Sequence, residues 1–256
     1  MIGLTGQMAL LSVLAGTVGL SLAGWLVGVA CGLTTTAILC YGLTRSGTAA
    51  LGAANRVTLT RAALVGGVAA LVADGLVQPA SAPTLVGFAV VALVLDGLDG
   101  WVARRTGTVS ALGARFDMEV DAFLILVLSV YVAGSVGPWV LAIGAARYIA
   151  WVAGSMVPWL GVRVPPRYWR KPVAAIQGIV LTAAVAHVLP APVMNAAIAV
   201  ALVLLAESFG RDVVWQWRQR RVPTPEPADL SAWVAAIATT QADKSETDRL
   251  VVTGRG

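Results

Sequence analysis

Charge is scarce in this chain: Asp, Glu, Lys and Arg make up 12% of its 256 residues, 58% are hydrophobic, and the mean hydropathy is +0.81. A soluble domain of this length is not built from so few charges, so the composition excludes that class and points to a polytopic membrane protein. Cysteine is nearly absent. Cys31 and Cys40 both lie in apolar sequence and read as small packing residues, which excludes a disulfide framework and leaves the redox compartment open. The single histidine, His187, falls near the outer end of an apolar run and reads as a packed or interfacial side chain, not a catalyst. Residues 1–7 hold no basic residue, so the apolar stretch that follows lacks the charged start of a cleavable signal peptide and is expected to be retained. Internal repeats and nucleic-acid motifs are also missing.

What is present is a series of apolar runs. The first, from Met8 to about Leu43, is too long for one ordinary crossing and just long enough for two short ones broken near Ala23 and Gly24. A hairpin is expected, with a single tilted span and a surface segment as the alternative. Six further runs follow, near residues 62–77, 83–95, 122–136, 139–159, 173–189 and 193–209. The connectors near 78–82, 137–138 and 190–192 contain no Lys or Arg, whereas those near 44–61, 101–116, 161–172 and 210–221 hold most of the basic residues. By the positive-inside tendency the second set faces the cytoplasm. Trp139, Trp159, Trp169 and Trp215 near proposed helix ends fit an interfacial belt. The expected fold is therefore all-α, a polytopic membrane bundle with a six-helix core (45–221) behind an N-terminal hydrophobic hairpin (1–44). A Pro-rich start, VPTPEP, opens a flexible cytoplasmic tail (222–256) with one short helix expected around Ser231 to Thr239.

Against this background, residues 96–121 gather Asp96, Asp99, Asp117, Glu119 and Asp121. On a helix, Asp96, Asp99, Gly100 and Ala103 fall at i, i+3, i+4 and i+7, and Gly113, Asp117 and Asp121 at i, i+4 and i+8, each set on one face. Two antiparallel helices presenting those faces would bring four like charges together, which requires bound cations or retained protons. Oxygen-only ligands suit Mg²⁺ or Mn²⁺, and a paired-metal site is a recurrent way to run phosphoryl chemistry. The plainer reading is that these acids cap two membrane helices at the water interface.

The same residues spell D-x-x-D-G-x-x-A-R, eight residues, G-x-x-x-D-x-x-x-D, met without departure at Asp96, Asp99, Gly100, Ala103, Arg104, Gly113, Asp117 and Asp121. This resembles the signature of the CDP-alcohol phosphotransferases, the integral-membrane enzymes of phospholipid synthesis. Asn55, Thr58 and Arg61 resemble the family's N-x-x-T-x-x-R element ahead of the first core helix, which helps hold the nucleotide. Lys171 and Gln177 fit a G-K-x-K-T-x-x-Q element whose other positions depart, at Arg170, Val173 and Ala174. Arg147 matches half of an Arg-Glu pair, with Tyr148 in place of the Glu.

The resemblance implies transfer of a phosphatidyl group from CDP-diacylglycerol to an alcohol with release of CMP. It gives Asp96, Asp99, Asp117 and Asp121 as holders of two divalent ions and Asp121 as the base. Asn55, Thr58, Gly100, Ala103, Arg104 and Gly113 fall to the donor, Arg104 either pairing with phosphate or bracing an acid. Arg147, Arg170 and Lys171 fall to an acceptor expected to be phosphorylated, such as glycerol 3-phosphate or inositol phosphate. For Arg147 the alternative is a structural partner of one of the acids, and for the basic loop, contact with anionic lipid. A homodimer in the plasma membrane, with its site facing the cytoplasm, is expected. The competing classes are a transporter or cation-binding membrane protein, or an inactive family member serving as a partner.

Overall fold

The computed structural model describes residues 2–46, 53–78, 81–106, 111–161, 164 and 169–220. Within these stretches the side chains of residues 2, 42–46, 53–57, 99–104, 106, 111–112, 158 and 161 fall outside the described set. The tail from residue 221 on, with its expected short helix, lies outside it too, as do Arg163 and Arg167 of the basic loop.

Eight α-helices and no strand occur among the described residues: α1 Ile2–Thr17, α2 Leu22–Ser46, α3 Ala53–Gly75, α4 Ala82–Thr106, α5 Ala111–Val136, α6 Leu141–Met156, α7 Arg170–Val185 and α8 Ala191–Gln219. Short 3-10 turns, Pro138–Val140 and Pro158–Gly161, flank α6. Five segments are long and apolar enough to cross a membrane: those in α2, α3, α5 and α8, and Pro138–Met156. The fold is the expected polytopic bundle, with α1 and α2 as the hairpin and α3 to α8 as the six-helix core.

The hairpin breaks at residues 18–21, a few residues before Ala23 and Gly24. Gly19 takes φ +78, a conformation that glycine adopts without steric cost. Ser21 then opens α2, and its backbone N–H donates to Asp74 Oδ1 at 2.6 Å. A carboxylate at a helix N-terminus is favourably placed against the unpaired N–H groups there. Gln78 Nε2 donates both to Asp74 Oδ2 at 2.8 Å and to the Gly19 carbonyl at 3.1 Å. The far end of α3 thereby holds the hairpin turn.

Helix α3 lies at the centre, packed against α1, α2, α4 and α5. Two thirds (67%) of its apolar segment is buried, against 17% for Pro138–Met156, so α3 is enclosed by its own chain where α6 is largely left at the bundle's surface. Small residues allow this approach. A Cβ on Gly66 would come within 2.8 Å of the Gln7 amide, and one on Gly24 within 3.0 Å of the Ala70 carbonyl oxygen. Val65, Val68, Leu71 and Val72 of α3 join Leu85, Ala89 and Ala92 of α4 and Leu124 and Leu128 of α5 in one core.

The α5–α6 contact depends on Gly144, whose added Cβ would sit 2.5 Å from Leu126 Cα and 2.9 Å from Ser129 Oγ. Backbone cannot yield as a flexible side chain does. Gly144→Ala is therefore expected to cost about 1–3 kcal/mol, read as a lowered melting temperature in detergent. Gly87→Ala, where nothing lies within 4 Å, should not lower the melting temperature.

Helix ends extend beyond the apolar runs. Helix α3 begins at Ala53, α4 continues to Thr106 and α5 begins at Ala111. Hydropathy marks what can sit in hydrocarbon, whereas intrahelical hydrogen bonding continues into polar sequence until something stops it, and no proline interrupts residues 84–137. The acids consequently stand at the ends of apolar stretches but two to three turns inside their helices.

Candidate active site

Asp96 comes from α4, Asp117 and Asp121 from successive turns of α5, and Arg61 from α3. Arg61 reaches all three acids. Its Nη1 donates to Asp96 Oδ1 at 2.6 Å, and its Nη2 to Asp117 Oδ1 at 2.5 Å, to Asp121 Oδ1 at 2.8 Å and to the Asp117 carbonyl at 3.2 Å. The burial is asymmetric: the Arg61 side chain is 1% exposed, those of Asp96, Asp117 and Asp121 38%, 36% and 33%. The arginine forms a buried floor, and the carboxylates form a rim open to the outside.

One oxygen from each of the three acids lies within 4.8 Å of the others. That spacing and the all-oxygen chemistry fit a hard divalent cation, so the residues present fit the metal that the resemblance implies. Asp99, three residues after Asp96 on α4, belongs to the expected set, but its side chain lies outside the described residues, as do those of Asn55, Gly100, Ala103 and Arg104. Thr58 is buried one turn before Arg61, and Gly113 is half-buried one turn before Asp117.

The proposed acceptor residues divide. Arg147 forks onto Glu119, Nε to Oε2 at 3.2 Å and Nη2 to Oε1, while Nη1 meets Met118 Sδ at 3.0 Å. Glu119, two residues from both Asp117 and Asp121, turns away from the Arg61 cluster, which accounts for an acid the signature leaves unassigned. Arg170 pairs with the buried Asp212 of α8 at 3.5 Å. Lys171 is exposed, next to Arg170 at the start of α7. Gln177 is buried and donates to the Ala201 carbonyl at 2.8 Å, so it joins α7 to α8 instead of lining the site. Glu207 and Arg211 pair with each other along α8. His187 is the one described non-glycine residue with positive φ, and its Nδ1 lies 2.9 Å from the Val185 carbonyl oxygen, at the end of α7 away from the acids. At the acid end, the Arg220 guanidinium lies 4.7 Å from the Trp217 ring centroid and 5.8 Å from that of Trp159.

The part of Arg61 that sequence reasoning missed is its place beneath the acids. The signal was there: an arginine inside a segment apolar enough to span the membrane needs a carboxylate partner, and residues 96–121 hold an excess of them.

Fold and site together define a polytopic membrane protein whose acids, drawn from two helices, surround a buried arginine supplied by a third. The CDP-alcohol phosphatidyltransferase family model matches residues 51–206, more than half of the chain, and the chain belongs to that family. Neither a curated protein nor a solved structure matches it.

Proposed function

We propose that this protein moves a phosphatidyl group from CDP-diacylglycerol to a phosphorylated alcohol, such as glycerol 3-phosphate or inositol phosphate, with release of CMP. The reading is carried by the convergence of Asp96, Asp117 and Asp121 on Arg61 at the bundle end that the basic connectors share. The charge bias of those connectors supports a cytoplasmic site in the plasma membrane. The family resemblance supports a homodimer.

In this reading the acceptor hydroxyl gives its proton to the Asp121 carboxylate as its oxygen forms a bond to the lipid-linked phosphorus. The bond from that phosphorus to the bridging oxygen breaks, and CMP leaves with the oxygen. Asp96, Asp99, Asp117 and Asp121 would hold two divalent ions, Mg²⁺ or Mn²⁺, which would supply positive charge against the pyrophosphate and the leaving phosphate. Gly100, Ala103 and Gly113 leave room for the nucleotide, and Asn55, Thr58 and Arg104 contact it. Lys171, exposed at the start of α7, with Arg147 and Arg170, draws in the acceptor's phosphate. Both arginines are already paired with carboxylates, yet their side chains are 31% and 42% exposed and open to a second oxyanion.

The test is CMP release by purified protein in detergent, given CDP-diacylglycerol and Mg²⁺ or Mn²⁺, across a panel of phosphorylated and plain alcohols. Release with a phosphorylated acceptor, lost on chelation, is expected; release only with plain alcohols refutes the acceptor class. Arg147→Ala should raise the acceptor KM at least about tenfold and leave the donor KM alone. A loss of donor affinity instead would move Arg147 out of the acceptor site.

A further inference from the structure

The acids of this site already have a cation. Arg61 enters from the protein interior with its side chain 1% exposed, and it takes the Oδ1 atom of each of Asp96, Asp117 and Asp121 at 2.5–2.8 Å. A guanidinium is planar, permanently charged and forked, so separate nitrogens in a fixed geometry can each meet carboxylates from a different helix, which an ammonium's single nitrogen does not offer. Within this quartet one positive charge faces three negative ones. The acids outnumber the arginine within it, and their carboxylates are open to the outside.

We infer that Arg61 is the built-in counter-cation of the carboxylate cluster: it holds Asp96, Asp117 and Asp121 together when no metal is bound and, sharing those carboxylates with the metal, sets how tightly a divalent ion binds. Arg61 is a positioning residue, acting on substrate only through the acids. The inference rests on the metal reading of this site. Its physical basis is a linkage between two cations that draw on the same carboxylates. Removing one leaves the acids more negative, raising their attraction for the other. Removing Arg61 also leaves three partly buried carboxylates with their mutual repulsion, which a bound divalent ion relieves.

The experiment titrates Mn²⁺ alone into chelator-treated full-length protein in detergent, with free Mn²⁺ followed by electron paramagnetic resonance and melting temperature measured with and without Mn²⁺. Arg61→Gln is expected to bind Mn²⁺ at least tenfold more tightly than wild type, to melt lower than wild type in chelator, and to regain most of that loss with Mn²⁺. Arg61→Lys, which keeps the charge and loses the fork, should fall between the two. Unchanged or weaker Mn²⁺ binding by Arg61→Gln overturns the inference. So does an Arg61→Gln protein that stays unfolded at saturating Mn²⁺, since the ion would then be unable to take the arginine's place. A different failure, wild-type protein that binds no Mn²⁺ or binds it equally well as Asp117→Asn, removes the metal reading itself.

Discussion

Asp121→Asn is expected to lower CMP release by about 10²–10⁴-fold, the range a positioned base supplies, while the protein stays folded and still binds CDP-diacylglycerol. The amide matches the carboxylate in size and cannot accept the hydroxyl proton. It also surrenders one ion pair with Arg61, but Asp96 and Asp117 still face that guanidinium, at 2.6 and 2.5 Å, so the buried charge keeps partners. Steady-state CMP release beside a donor-binding isotherm separates the outcomes. Near-normal turnover would remove Asp121 as the base, and loss of donor binding along with turnover would make it a binding residue.

The second large effect concerns Asp96, the one member of the Arg61 cluster that α4 supplies among the described side chains. Asp96→Ala should weaken Mn²⁺-dependent binding of a cytidine nucleotide by more than the roughly 10–100-fold that loss of an outer-shell partner costs at a metal site. The two carboxylates of α5 remain to balance Arg61, so the bundle should still form. Calorimetric titration of CMP with Mn²⁺ and with chelator reads the effect directly. Unchanged Mn²⁺-dependent binding would show that Asp96 is not a ligand and that its tie to Arg61 is structural only.

Much of this was legible from the residues. A scarcity of charge identified the membrane, the apolar runs located the helices, and the i, i+3 and i, i+4 spacings put Asp96, Asp117 and Asp121 on faces that do converge. Other features were not, each for a physical reason. Hydropathy cannot see a helix continue into polar sequence, so the start of α3 lay beyond its apolar run, whereas the spacing of the acids had already carried α4 and α5 through residues 96–103 and 113–121. Long-range polar pairs leave no local pattern: Asp74 with Ser21, Arg147 with Glu119 and Gln177 with the Ala201 carbonyl each join residues at least 24 apart. Arg61 was read as part of a nucleotide element because its neighbours in sequence are Asn55 and Thr58. Its neighbours in space are acids from 35 to 60 residues further along.

The hairpin of α1 and α2 lies before the family match, which begins at residue 51, yet it covers one side of the family's first core helix. That helix is the least apolar of the five spanning segments and carries Arg61 near one end and Asp74 near the other. An Arg or an Asp costs about 2.5–3.5 kcal/mol at the centre of a lone inserting helix and less toward its ends. In synthesis α1 and α2 precede α3, and in the folded protein Gly24 and Gln7 lie on the surface that meets α3 while the N–H of Ser21 donates to Asp74. The order of the chain thus gives a poorly inserting segment a protein surface to enter against before the ribosome has made the acids that Arg61 needs.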